Sequence, residues 1–159
     1  MFKRTVITSA SFAAMLPALV LSCVLSAVPA LAGPGEEASA IVDKWSATYS
    51  ANDRNELVKL YTPDALLFGT TEKNPVRGTE GIREYFVALD KGGRRNTILD
   101  KNVFVLDDNA VVVAGFYDFA RKDQDYKPRP SRFTMLVVKR DGKWMIAHHH
   151  SSPRAEVRQ

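Results

Sequence analysis

The sequence predicts a single α+β domain in which helices precede a long-stranded, mainly antiparallel sheet. Three observations carry that expectation. Hydrophobic residues recur at helical spacing up to about residue 90 and at strand spacing from residue 96 onward. The four strand-like runs are joined by short polar turns rather than by helices, which excludes a doubly wound parallel sheet. Asp141-Gly142 stands between two apolar runs, a signal for a two-residue hairpin because both central residues of that turn need positive φ.

The elements follow in chain order. Over 36–51, Ala38, Ile41, Val42, Trp45 and Tyr49 fall on one helical face. Asn52 and Asp53 interrupt it, and Asp53 with Glu56 resembles a capping box for a short helix carrying Leu57, Leu60 and Tyr61. Thr62-Pro63-Asp64 turns the chain into a short apolar strand, Ala65 to Gly69. After Arg77-Gly78-Thr79 a third helix aligns Ile82, Tyr85, Phe86 and Leu89, and Lys91-Gly92-Gly93 ends it. Residues 96–106, 110–121, 131–140 and 143–151 are β-rich, separated by Asp107-Asp108-Asn109, a Pro-containing loop over 122–130, and Asp141-Gly142. The order expected is α-α-β-α-β-β-β-β.

The chain of 159 residues is one domain's length, and 45% hydrophobic with 25% charged residues is an ordinary globular composition. Its start reads as an export signal occupying 1–32: Lys3 and Arg4, then an uncharged stretch from Phe12 to Leu31, closing on the small-x-small pattern Ala30-Leu31-Ala32. Cleavage after Ala32 is expected, leaving a domain over 33–159 that is periplasmic or secreted and has no membrane attachment. Retention as an anchor and lipidation at Cys23 are the alternatives. Two of the 22 basic residues lie in the leader, leaving 20 against 18 acidic and a net charge of +2. That modest charge, with the remaining basic clusters at Lys91 to Arg95 and Arg121 to Arg129 read as solvated loops, argues against a nucleic-acid partner. The sole cysteine departs with the leader, so the mature chain has neither disulfide nor thiol nucleophile.

A two-residue turn at Asp141-Gly142 pairs Arg140 with Lys143 and sorts the flanking strands into two faces. One carries Val138, Leu136, Thr134 and Arg132 opposite Met145, Ala147, His149 and Ser151. The other carries Lys139, Val137, Met135 and Phe133 opposite Trp144, Ile146, His148 and His150. Both faces are largely apolar, whereas three helices supply one covering layer, so a second copy of the chain is the expected second cover. The face with Phe133, Met135, Trp144, Ile146, His148 and His150 is assigned to self-association, since aromatic residues and Met are enriched in interface cores. The other face grades from an apolar base into the polar rim of a small-molecule pocket.

Trp45, Leu60 to Ala65, Arg77-Gly78 before Ile82 and Tyr85-Phe86, Arg132-Phe133-Thr134, Asp141 to Trp144 and His149 to Ser152 together resemble the association domain of calcium/calmodulin-dependent protein kinase II, in its stand-alone bacterial form. The resemblance covers about residues 38 to 153. It implies a nuclear transport factor 2-like (SnoaL-like) cone, three helices packed on a curved sheet around a pocket, and a self-assembling domain, dimeric or higher, without kinase activity. Kinase-linked members line their pocket with several arginines. Here Arg132 is the clearest counterpart, and Ser151 stands where a further arginine is expected. Other members of the superfamily are isomerases, cyclases or dehydratases, so an enzyme remains the alternative to a binder.

The candidate site residues follow from the pocket face. His149 can exchange a proton near neutrality and Arg132 can hold a carboxylate or oxyanion. Asp118, the single acid within its apolar strand, is the candidate base to work with His149. Thr134, Ser151, Trp45, Tyr49 and Tyr85 complete the ligand-binding set, the three aromatics also being natural core residues at their helical spacing. His148-His149-His150 invites a metal, but alternation leaves only His148 and His150 on one side with no acid or cysteine nearby, so no metal and no other cofactor is expected.

Overall fold

The computed structural model describes residues 32–155. Most of the leader, Cys23 included, lies outside the described residues. Pro34 opens helix α1, Pro34–Ala51, where its missing N–H costs nothing, and Asn52 in the left-handed region (φ 60°) closes it. Helix α2, Arg54–Val58, starts on the Asp53 side chain, which accepts from the Glu56 N–H at 2.9 Å. Strand β1, Tyr61–Phe68, absorbs Pro63 and Asp64 as an irregularity, so the expected turn lies inside the strand. A two-residue strand β2, Val76–Arg77, unexpected from the sequence, leads into helix α3, Gly78–Tyr85, and a 3-10 turn over Val87–Lys91. The long strands are β3, Arg94–Asp107; β4, Ala110–Arg121; β5, Arg129–Arg140; and β6, Lys143–Pro153. They form one six-stranded sheet in the order β2-β1-β6-β5-β4-β3, antiparallel except where β1 runs parallel to β6. The α+β class expected from the sequence is the class observed.

The sheet curls around the helices, and the residues responsible can be named. On β3 the register slips at Leu99, between the pairs Ile98–Tyr117 and Asp100–Phe116, and the next pair sets Lys101 against Gly115 of β4. A Cβ at residue 115 would overlap the Asp100 carbonyl, so only glycine lets the two backbones close to this distance. On β6 the extra residue is Ala147: Val137 pairs with Ile146, but the next pair is Leu136 with His148. Trp45 stands at the centre of the enclosed core, stacked on Tyr49 and Tyr117 at centroid distances of 5.4 and 6.0 Å, with Leu57, Leu67, Ile82, Met135 and Ile146 buried around it.

The bulge at Ala147 corrects the face assignment. The Asp141-Gly142 turn pairs Arg140 with Lys143 as expected, but the concave side carries Phe133, Met135, Val137 and Ile146, all buried beneath the helices rather than presented to a partner. Trp144, also expected at an interface, is half-buried on this side and donates its indole N–H to Glu37 of α1 at 2.6 Å. One-residue slippage at Ala147 then brings His149 and Ser151 to the same concave side, so these two do point inward. Arg132 and Thr134, expected in the pocket, lie on the convex side with His148 and His150.

Candidate functional site

The cone encloses a cavity of about 240 Å³ at the end of the sheet where β3 and β5 begin and β4 and β6 finish. Aromatic side chains from α1, from the residue that closes α3 and from β4 (Trp45, Tyr49, Phe86, Tyr117 and Phe119) form much of its wall. Gly69 is part of that construction: a Cβ there would run into the Tyr85 ring, so the glycine lets Tyr85 lean over the opening.

At the floor lies a chain of polar groups in an otherwise apolar core. Trp45 Nε1 donates to the Tyr61 hydroxyl at 2.7 Å, and that hydroxyl lies 2.9 Å from His149 Nδ1. His149 Nε2 is 3.3 Å from the Tyr117 hydroxyl, and beside them Ser151 bonds to Thr70. Indole can only donate, so the Tyr61 oxygen accepts from Trp45 and its own proton must go to His149 Nδ1; otherwise a fully buried O–H would have no acceptor. The imidazole therefore carries its proton on Nε2 and gives it to Tyr117. Burial, reinforced by the charges of His148 and His150, lowers the His149 pKa to about 3, so the ring is neutral. Burial likewise raises the Tyr61 and Tyr117 hydroxyls well above their usual range, keeping both protonated.

At the mouth, charge of one sign gathers. Arg94, Arg121 and Arg129 line the opening, and no Asp or Glu is among the described residues that line it. Arg94 is steadied by Nε donating to the Ala88 carbonyl at 3.2 Å and by contact with the Tyr49 hydroxyl. Arg121 is held by Gln124 at 3.2 Å and, more loosely, by Asp123 at 3.6 Å. These are the basic clusters that the sequence suggested were solvated loops. The strands extend further than expected, and the alternation Tyr117, Phe119, Arg121 carries the guanidinium to the concave face.

The remaining sequence candidates divide cleanly. Trp45, Tyr49, Tyr85, His149 and Ser151 line the cavity, whereas Arg132, bonded to Ser152 at 3.1 Å, and Thr134 do not. Asp118 alternates with Tyr117 and Phe119 and so faces the convex side, where its Oδ1 is buried without a partner; it is turned away from His149. His148 and His150 flank Phe68 on that same side, at ring distances of 5.7 and 6.3 Å. Among the described residues no group of three His, Cys, Asp or Glu is placed to hold a metal, and no helix is long and apolar enough to cross a membrane. Sequence reasoning missed Tyr61, Thr70, Arg94, Tyr117, Arg121 and Arg129; for Arg121 the period-2 run from Tyr117 was the available signal.

The model of the calcium/calmodulin-dependent protein kinase II association domain matches residues 35–155, essentially the whole cone. The chain belongs to this association-domain family. A crystal structure assigned to the same domain, from Xanthomonas campestris, is 34% identical, with 83% of this chain and 95% of that one covered at a TM-score of 0.71. More distant likenesses extend the fold of the association domain to the wider nuclear transport factor 2-like group. A ketosteroid isomerase-like protein from Erwinia carotovora atroseptica is 15% identical (TM-score 0.65, 76% and 95% covered). A protein of the nuclear transport factor 2-like family from Streptomyces avermitilis, assigned as a dehydratase, is 12% identical (TM-score 0.69, 77% and 96% covered). No curated protein matches the chain.

Proposed function

We infer that this association domain is an exported, self-associating binder of a small organic anion with an apolar body. The observation that carries the reading is the cavity's division of labour: an aromatic interior beneath a rim holding Arg94, Arg121 and Arg129, with no carboxylate beside them in the lining. Guanidinium forks suit a carboxylate or phosphate, and the rings suit the apolar remainder. Export rests on the leader read in residues 1–32. Self-association rests on the family and on a convex face where Val112, Phe116, Leu136, Val138 and Met145 are only half-covered.

Turnover is the weaker reading on the same geometry. A general base needs a free lone pair, and His149 spends Nδ1 on Tyr61 and Nε2 on Tyr117 while Asp118 faces away. The test is a melting-temperature series with aryl-alkyl carboxylates and their neutral amides. Carboxylates should raise the midpoint by several degrees, the amides should not, and Arg94→Gln should remove most of the gain. Equal stabilisation by acid and amide, or turnover of the compound, overturns the reading.

A further inference from the structure

The cationic rim continues beyond the cavity. Arg94 and Arg121 are direct cross-strand partners on β3 and β4, and Arg129 of β5 pairs with Phe119, two residues from Arg121. Among the described residues neither Arg94 nor Arg129 has a carboxylate within ion-pair reach, and the one beside Arg121 is the exposed Asp123 at 3.6 Å. Arg94 and Arg121 also line a second, outer cleft, together with Lys91, Gly92, Gly93, Lys122 and Asp123. This cleft is built by its glycines. Gly92 and Gly93 hold φ of 66° and 73°, and a Cβ on Gly93 would meet Lys122 Cβ at 2.8 Å, so glycine lets this turn close on Lys122. The Lys122 N–H then donates to the Gly93 carbonyl at 2.7 Å. Cavity and cleft share the two arginines, and their joint lining holds five cationic side chains against one carboxylate.

We propose that the occupant is an organic diphosphate, with its apolar body in the aromatic chamber, its inner phosphoryl on Arg94, Arg121 and Arg129, and its outer phosphoryl in the cleft with Lys91 and Lys122. This rests on the anion-binding reading above and narrows it. A carboxylate brings a single charge and one planar pair of oxygens, too little for three guanidinium forks and two ammonium groups. A diphosphate sets acceptor oxygens along two tetrahedral groups, which matches cations that run from the rim into the cleft, and its terminal phosphoryl alone carries about two charges. Lysine suits the outer position, since a hydrated point charge on a flexible stem can follow a terminal phosphate that stays in water. Asp123 shares the cleft and opposes the outer phosphoryl, but its exposure lets salt and water screen the repulsion.

Calorimetry on the folded protein, in buffer free of divalent metal, tests this with three ligands that share one phenylethyl body: 3-phenylpropanoate, 2-phenylethyl phosphate and 2-phenylethyl diphosphate. The diphosphate should bind about tenfold more tightly than the monophosphate, and the monophosphate more tightly than the carboxylate. Lys91→Gln combined with Lys122→Gln, both at exposed positions, should erase the step from monophosphate to diphosphate and keep the step from carboxylate to monophosphate. A diphosphate no tighter than the monophosphate, or a gain that survives the double substitution, overturns the proposal but leaves anion binding standing. Inorganic diphosphate binding as tightly as the ester overturns it as well, because the chamber would then hold nothing. Absence of binding by all three organic ligands removes the anion reading itself, and this one with it.

Discussion

His149 is buried to 1% exposure, neutral, and committed on both ring nitrogens, so it stabilises the fold only while it stays unprotonated. Its folded pKa of about 3 lies below the ordinary value of 6.5, which means the unfolded chain binds a proton that the folded chain refuses. The contribution is fully present above pH 6.5 and is lost as pH falls from there toward 3. Urea midpoints should therefore decline through this window with a slope approaching ~1.4 kcal/mol per pH unit from this residue alone. Replacement by Gln, which keeps a donor and an acceptor but does not titrate, should flatten that slope while lowering stability at pH 7. A slope unchanged in His149→Gln would assign the acid sensitivity to other groups. Uniform alternation from the turn set His149 opposite Thr134, which lies on the convex side, so His149 faces the cavity only through the bulge at Ala147; nor could its two tyrosine partners be read, since Tyr61 and Tyr117 come from strands 88 and 32 residues away.

At the level of elements, two local departures from regular pairing decide what the long strands do. The slip at Leu99, next to the close approach of Gly115 to Asp100, bends β3 and β4. The extra residue Ala147 rotates the end of β6 by one side chain. Gly115→Ala drives a methyl group into backbone that cannot retreat as a side chain could, and a loss of about 2–3 kcal/mol in chemical unfolding is expected. A near-neutral result would mean that the sheet relaxes at this corner. These same departures explain where sequence reading succeeded. Helix starts, the four long strand runs and the Asp141-Gly142 turn are written in local patterns and were legible, whereas β2 and the early start of β1 were not. A bulge has no such signature when the inserted residue is an alanine among β-forming neighbours, and a uniform count from the turn put Phe133, Met135 and Ile146 on the wrong side while placing His149 and Ser151 correctly.

For the molecule as a whole, a sheet apolar on both sides is covered by helices on one side alone. The other side exposes Phe68 to 42% and leaves Leu136 beside His148, and Val138 beside Met145, half-covered. Leu136→Glu should therefore convert an oligomer to monomer in sedimentation without changing the carboxylate-induced stabilisation, because residue 136 lines no part of the cavity. An unchanged sedimentation coefficient would put any self-contact elsewhere, for instance along the free edge of β3, where Phe104 and Leu106 are 58% and 62% exposed. The cone is also unequal end to end. Every residue that lines the cavity lies away from the Asp107-Asp108-Asn109 and Asp141-Gly142 tips, which sit at the opposite pole. Those tips are thus free attachment points: a fluorophore or surface tether fixed there would hold the protein mouth outward, leaving the opening clear for whatever enters it.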